Sequence, residues 1–187
     1  MTGRRAIATA HWRRLDMQGT DRCTLSRLEH GWMLVGQAIW HDCGTDGCLN
    51  YDVRCDPDWH SLSADVAGDV GGQKLSLRLN QSAEGWHVNG KLQDDTANCV
   101  DLDLSFTPAT NLLPLRRLAL GTGKSAFVSA AWLRQDMKTI ARLDQVYTKG
   151  ADDLVRYSSP QFDAQLAVHP TGFVTHYPDF WEGWVDV

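Results

Sequence analysis

The chain of 187 residues is 43% hydrophobic and 22% charged, and its formal charge is −5, so we expect residues 1–187 to form a single domain with its own core. The acidic balance argues against nucleic acid as a partner, because binding to phosphates needs a basic surface. No apolar run reaches the roughly 20 residues that span a bilayer and no signal peptide is recognisable, so the sequence predicts a cytoplasmic protein without a transmembrane segment.

The first chemical cluster along the chain combines His41 with three of the five cysteines, Cys43, Cys48 and Cys55. Thiolates at short spacing can bind zinc, but the spacing is not the usual C-x-x-C pair. An odd number of cysteines in a chain without a secretion signal also argues against a disulfide framework. We therefore interpret Cys23, Cys55 and Cys99 as small buried apolar residues and expect neither a metal nor a cofactor.

Alternation of apolar and polar residues with period two dominates the sequence and is typical of strands with one buried face. The alternating runs cover residues 51–55, 62–66, 75–79, 86–92, 100–106, 162–168 and 173–177. Short connections rich in Gly, Asp, Asn and Pro separate several of them, which favours antiparallel neighbours. We predict an all-β, mostly antiparallel protein, a curved β-roll or incomplete barrel with at most one or two short helices.

Two later segments allow more than one interpretation. Residues 121–125, Gly-Thr-Gly-Lys-Ser, resemble the end of a P-loop, but the required first glycine is replaced by Leu118, so we interpret them as a glycine turn. Residues 124–147 show helical spacing at Leu133, Met137 and Ile140, yet residues 127–133 also alternate. For that segment we favour a strand over residues 125–133.

The most distinctive stretch, residues 99–118, combines an acidic alternating strand with a proline-punctuated loop and two arginines. Asp101 and Asp103 lie on one face of the predicted strand, where they form either an acid–base pair or ion pairs with Arg116 and Arg117. The ion-pair interpretation is favoured, because it compensates four charges locally. The arginines are also candidates for a ligand head group.

This stretch resembles a bacterial family described as putative glycolipid-binding, whose pattern is a Cys, an Asp-x-Asp-Leu strand, a Thr-Asn-x-x-Pro turn and an Arg-Arg-Leu. The resemblance extends upstream to residues 51–56, Trp59 and residues 85–90. Downstream it includes residues 145–148, Tyr157 and the Tyr-Pro at 177–178. Residues 134–138 depart from it, because they are more polar than the apolar stretch expected there. The resemblance implies a curved β-roll or incomplete barrel similar to bacterial lipid carriers.

Together these observations predict a concave β-sheet cavity that binds a glycolipid, a lipid or a similar amphipathic small molecule. The predicted ligand-binding residues are polar groups in the distinctive stretch and aromatic residues elsewhere: Arg116, Arg117, Asp101, Asp103, Asn111, Trp86, Tyr147, Tyr157 and Tyr177. The alternative is a hydrolase that acts on a sugar or ester through Asp101 and Asp103. A third hypothesis assigns protein recognition to Trp181 and Trp184.

Overall fold

The computed structural model describes residues 5–42, 44–152 and 154–187, and within them fifteen strands form one sheet. The strands are β1 (Arg5–Arg14), β2 (Gln18–Leu28), β3 (Gly31–His41), β4 (Gly47–Cys55), β5 (Ser61–Val70), β6 (Gln73–Ser82), β7 (Gly85–Val88), β8 (Lys91–Leu92), β9 (Asp101–Leu104), β10 (Ser125–Leu133), β11 (Ile140–Lys149), β12 (Leu154–Ser159), β13 (Phe162–Val168), β14 (Val174–Tyr177) and β15 (Trp181–Asp186). A 3₁₀ turn (Ala109–Asn111) and one α-helix, α1 (Leu112–Leu118), follow β9. The predicted all-β, mostly antiparallel class is confirmed.

The strand order runs from β8 through β1 to β15 and on down to β9, so β1 and β15 are neighbours within the sheet. Thirteen of the fourteen neighbouring pairs are antiparallel, and only β9 runs parallel to its neighbour β10. The sheet does not close into a barrel. It does curve far enough for the Ser61 amide to donate to the Val100 carbonyl at 3.2 Å, while the Leu102 amide donates to Ser61 Oγ at 3.0 Å.

The core lies along the inward face of the sheet, as the alternation predicts. In β4, for example, Leu49, Tyr51 and Val53 are buried whereas Asn50 and Arg54 are exposed. The segment that connects β8 to β10 fills much of the space inside the curve, and it contributes fully buried side chains on β9 and α1 to the larger core cluster: Leu102, Leu104, Leu112 and Leu113. A smaller cluster lies between the other side of α1 and strands β10–β14.

Three local details add to the sequence predictions. The run at residues 86–92 is interrupted, because Asn89 (φ 49°) and Gly90 (φ 83°) form a two-residue turn between β7 and β8. The paired arginines lie in the last turn of α1. Residues 121–124 form a turn, as interpreted from the sequence; it leads from α1 into β10 and lacks the strand–loop–helix context of a P-loop.

The predicted strand over residues 125–133 is confirmed as β10, which pairs with β11 along its whole length. Alternation therefore outweighs the helical spacing in this segment, since both strands bury one face. No helix in the described part of the chain is long and apolar enough to cross a lipid bilayer.

Candidate functional site

A cavity of about 410 Å³ lies between the β9–α1 connection and strands β10–β15, and the turn between β1 and β2 borders it. Its lining combines polar groups from β9 with aromatic rings from the C-terminal strands. Its size is in the range of small-molecule binding sites. The predicted concave cavity is thus present, but it is confined to one part of the curve because residues 99–118 fill the rest.

One wall of the cavity is aromatic. Tyr157, Phe162, Tyr177 and Phe180 pack with ring centroids between 5.2 and 6.3 Å apart, in tilted and edge-to-face arrangements. Such contacts fix the rings relative to one another. The wall therefore offers a rigid apolar surface, and the two tyrosines add hydroxyl groups to it.

A hydrogen-bonded polar cluster centred on Gln145 adjoins the aromatic wall, and Tyr157 belongs to both. The Gln145 side-chain amide donates to Asp103 Oδ2 at 2.7 Å and to the Tyr157 hydroxyl at 3.3 Å. The Tyr147 hydroxyl donates to Gln145 Oε1 at 3.3 Å and accepts from the Asn111 side-chain amide at 3.2 Å. This cluster holds Asp103 in place, yet a carboxylate has acceptor capacity for more than one partner.

Burial sets the protonation states of this cluster. It raises the pKa of Asp103 to about 6, although the hydrogen bond from Gln145 favours the ionised form. Burial, together with the nearby Asp103 charge, raises the pKa of Tyr157 to about 12. At pH 7 the cavity therefore presents a carboxylate acceptor beside phenolic O–H donors.

Ser105 adds a further polar side chain to the cavity lining, two positions along the chain from Asp103. Its Oγ is buried and makes no hydrogen bond with any described residue. Buried hydroxyls normally have a partner, and leaving one without a partner is energetically unfavourable. Rotation of the Ser105 side chain toward the cavity would let a ligand hydroxyl or a water molecule bond to it.

At the border of the cavity, the Arg14 guanidinium lies 4.9 Å from the centroid of the Trp181 ring and forms an ion pair with Asp16, Nη2 to Oδ2 at 2.6 Å. The arginine charge is compensated locally by Asp16. With Asp103 ionised, the charged groups of the lining therefore sum to one negative charge. This net negative charge would repel an anionic head group, so the cavity favours an uncharged one.

Of the nine residues predicted to bind a ligand, the structure places four in the cavity lining: Asp103, Asn111, Tyr157 and Tyr177. Tyr147 does not line the cavity. It is fully buried, and its hydroxyl accepts a hydrogen bond from the Asn111 side chain. Sequence reasoning missed Ser105, Gln145, Phe162 and Phe180 as site residues. For Ser105 a signal was present, because it continues the alternation of Asp101 and Asp103.

The other predicted residues lie outside this cavity. Asp101, only 1% exposed, is bound at both oxygens by Arg117, with distances of 3.0 Å from Nε and 2.6 Å from Nη2. Trp86 is fully buried in the core, where its indole nitrogen donates to the Cys99 carbonyl at 2.8 Å. The predicted pairing of Asp103 with an arginine is wrong, since Gln145 is its partner.

The structure does not bring the described cysteines of the considered zinc site together, and it places the two C-terminal tryptophans in different surroundings. Cys48 and Cys55 lie on opposite faces of β4, so one metal ion cannot bind both, and Cys43 lies outside the described residues. Burial raises the pKa of Cys55 to about 12, which keeps it a thiol. Trp181 is buried at the cavity, whereas Trp184 is 58% exposed and stacks on His11 with centroids 5.0 Å apart.

The fold and the site define a class: curved, open antiparallel sheets with a cavity beside an inserted strand and helix. The family model for proteins described as "Putative glycolipid-binding" matches residues 9–183, and the chain belongs to this family. No protein in a search of curated proteins matches the chain. The crystal structure of a DUF1089 family protein from Pseudomonas aeruginosa is similar, with 27% identity over 87% of this chain and 91% of that one and a TM-score of 0.74.

Proposed function

We propose that this protein binds an amphipathic small molecule with a hydroxylated head group, such as a glycolipid, in the cavity of about 410 Å³. The observation that carries the proposal is a single cavity whose lining combines the Asp103 carboxylate with four aromatic rings and with Ser105, whose Oγ has no hydrogen-bond partner among the described residues. Sugar hydroxyls both donate and accept, so one head group can satisfy both side chains. The family description supports the same kind of ligand.

The volume of the cavity determines which part of such a ligand lies inside it. Known small-molecule pockets have volumes of roughly 300–1,000 Å³, so this cavity accommodates one sugar ring and the start of an apolar chain. The C–H face of a sugar ring is apolar and packs on the faces of Tyr177 and Phe180. The remainder of a long acyl chain would lie outside the cavity, beyond the Arg14–Asp16 pair.

The hydrolase alternative needs both carboxylates at one reacting bond. Asp101 is instead held on both oxygens by Arg117 and does not line the cavity. We therefore assign Asp103 a binding role and keep no catalytic function for the pair.

Binding of n-octyl β-D-glucopyranoside below its micelle concentration, followed by isothermal titration calorimetry, tests this function. We expect Asp103→Asn to weaken binding by about 10-fold or more, because a hydrogen bond to a charged group contributes about 1.5–3 kcal/mol. Binding by the unmodified protein should also weaken as the pH falls below 6, where Asp103 becomes protonated. The matched control is Asp163→Asn, which removes an exposed carboxylate on β13.

The Ser105→Ala variant separates the role of the unpartnered hydroxyl from that of the charge. We expect a smaller loss of affinity, of about 3- to 10-fold, without a pH dependence of its own. Absence of binding in the unmodified protein, or equal affinity in Asp103→Asn, Asp163→Asn and the unmodified protein, would contradict the proposed site.

A further inference from the structure

A second cavity, of about 180 Å³, lies at the C-terminal end of α1. Among the described residues it shares no lining residue with the first cavity. Asn111, which precedes α1, borders the first cavity, whereas residues 115–116 and 118–120 border the second, so the two lie toward opposite ends of the helix.

The walls of this second cavity are mostly aliphatic. Leu115, Leu118 and Leu120 come from the end of α1 and the residues after it, and Val155 and Val168 come from β12 and β13. These side chains belong to the smaller core cluster or pack against it, so they are held in place from behind. The cavity is therefore a preformed apolar recess.

Basic groups surround this apolar recess. Arg116, Lys149 and His169 line it, and the described lining contains no aspartate or glutamate. Within the described part of the chain, neither Arg116 nor Lys149 forms an ion pair. The His169 ring is held in place by Thr171, whose hydroxyl lies 2.9 Å and whose amide nitrogen lies 3.3 Å from His169 Nδ1. A protein with a net charge of −5 thus carries a local basic cavity here.

Two contacts fix the position of Arg116. Its guanidinium lies 5.1 Å from the centroid of the Trp59 ring, a cation–π contact that leaves N–H donors available in the guanidinium plane. The aliphatic part of the Arg116 side chain lies against Gly172. A Cβ at position 172 would come within 2.7 Å of Arg116 Cδ. Because Gly172 also has φ +97°, this position favours glycine. The arginine is thus held at the cavity before any ligand binds.

We propose that this second cavity binds a small anion with an apolar tail, a carboxylate on a chain of about six carbons. A cavity of 150 Å³ lined by apolar side chains is known to accept benzene, so 180 Å³ accommodates roughly six carbons. Arg116 and Lys149 supply the charge for the carboxylate, and the leucines and valines contact the chain. This ligand differs from that of the first cavity, whose balance of charges favours an uncharged head group.

Three probes separate the contributions of charge and tail: hexanoate, 1-hexanol and acetate, each followed by amide chemical shifts in ¹H–¹⁵N NMR spectra. We expect hexanoate to bind with a dissociation constant on the order of 1 mM and to shift resonances of residues 115–120 and 168–172. Hexanol lacks the charge and acetate lacks the tail, so each should bind about 10-fold more weakly or worse. Asp103 resonances should stay unchanged, which distinguishes this site from the glycolipid site.

Variants complete the test. Arg116→Gln and Lys149→Gln should each weaken hexanoate binding about 5- to 10-fold. Lys138→Gln removes an exposed charge in the β10–β11 turn, at the opposite end of β11 from Lys149, and should leave binding unchanged. Lys149 lies on a different element, β11, so its variant remains informative if Arg116→Gln unfolds. Equal binding of hexanoate and hexanol, shifts confined to the first cavity, or unchanged affinity in Lys149→Gln would overturn the proposal.

Discussion

At the scale of single residues, the carboxyl of Asp21 is a buried group that controls how stability depends on pH. It is only 2% exposed on β2, where it accepts hydrogen bonds from the hydroxyls of Tyr51 and Thr107. Burial raises its pKa to about 7 in spite of these hydrogen bonds. The folded state therefore holds this proton more tightly than the unfolded chain, in which the pKa is near 3.8.

This difference predicts that Asp21 destabilises the protein as pH rises. Its favourable contribution is complete below pH 3.8 and is lost as the pH rises through about 7. The unfolding free energy of the unmodified protein, relative to that of Asp21→Asn, should fall by on the order of 4 kcal/mol between pH 4 and pH 8. Urea unfolding at a series of pH values measures this.

Asp163 supplies a control of opposite sign. Its hydrogen bonds with Arg156 lower its pKa, so its contribution is present above pH 3.8 and is lost in acid. The difference between the unmodified protein and Asp163→Asn should therefore stay constant from pH 5 to 8. A constant difference between the unmodified protein and Asp21→Asn over the same range would contradict the prediction, because it would show that Asp21 is ionised in the folded protein throughout.

At the scale of elements, the ion pair between Asp101 and Arg117 attaches α1 to β9. Arg117 lies in the last turn of the helix, and Asp101 is the first residue of the strand. The pair makes two hydrogen bonds, and the carboxylate is almost fully buried. Removal of one partner would leave the other as a buried charge without compensation.

We therefore predict that Arg117→Met destabilises the protein by about 3–5 kcal/mol, measured by urea unfolding. The double variant Arg117→Met with Asp101→Leu should recover most of that loss, because it leaves no unpaired charge. A variant Arg117→Met with unchanged stability but impaired ligand binding would instead assign this arginine to ligand recognition.

Some of the strands could be predicted from the sequence, whereas the helix could not. Period two is a local signal, and it placed strands in both halves of the sheet, but no run was predicted for β1–β3, β11, β12 or β15. Helix α1 has seven residues and is buried on two sides, with Leu112 and Leu113 in one core cluster and Leu115 and Leu118 against the other. A helix that is apolar on both sides shows no amphipathic periodicity. Pro114 is allowed in the first turn of a helix, but in the sequence it is equally typical of a loop.

At the scale of the whole molecule, the two ends of the chain meet in the sheet, since β1 pairs with β15. The cavity lies on the C-terminal side of this junction and collects Arg14, Asp103 and Trp181 from distant parts of the chain. The polar or aromatic character of four lining residues was enough to predict them as ligand-binding residues: Asp103, Asn111, Tyr157 and Tyr177. Gln145 and Phe180 gain their roles only through pairings between distant strands, which no local pattern encodes.

Native mass spectrometry of the protein, purified gently and then incubated with a total lipid extract, tests the central claim most directly. We predict a retained adduct that fragments to a sugar or another polyhydroxylated head group. Ser159→Trp, which fills the cavity from the end of β12, should abolish the adduct while the melting temperature is maintained. No adduct before or after incubation, or the same adduct in Ser159→Trp, would contradict it.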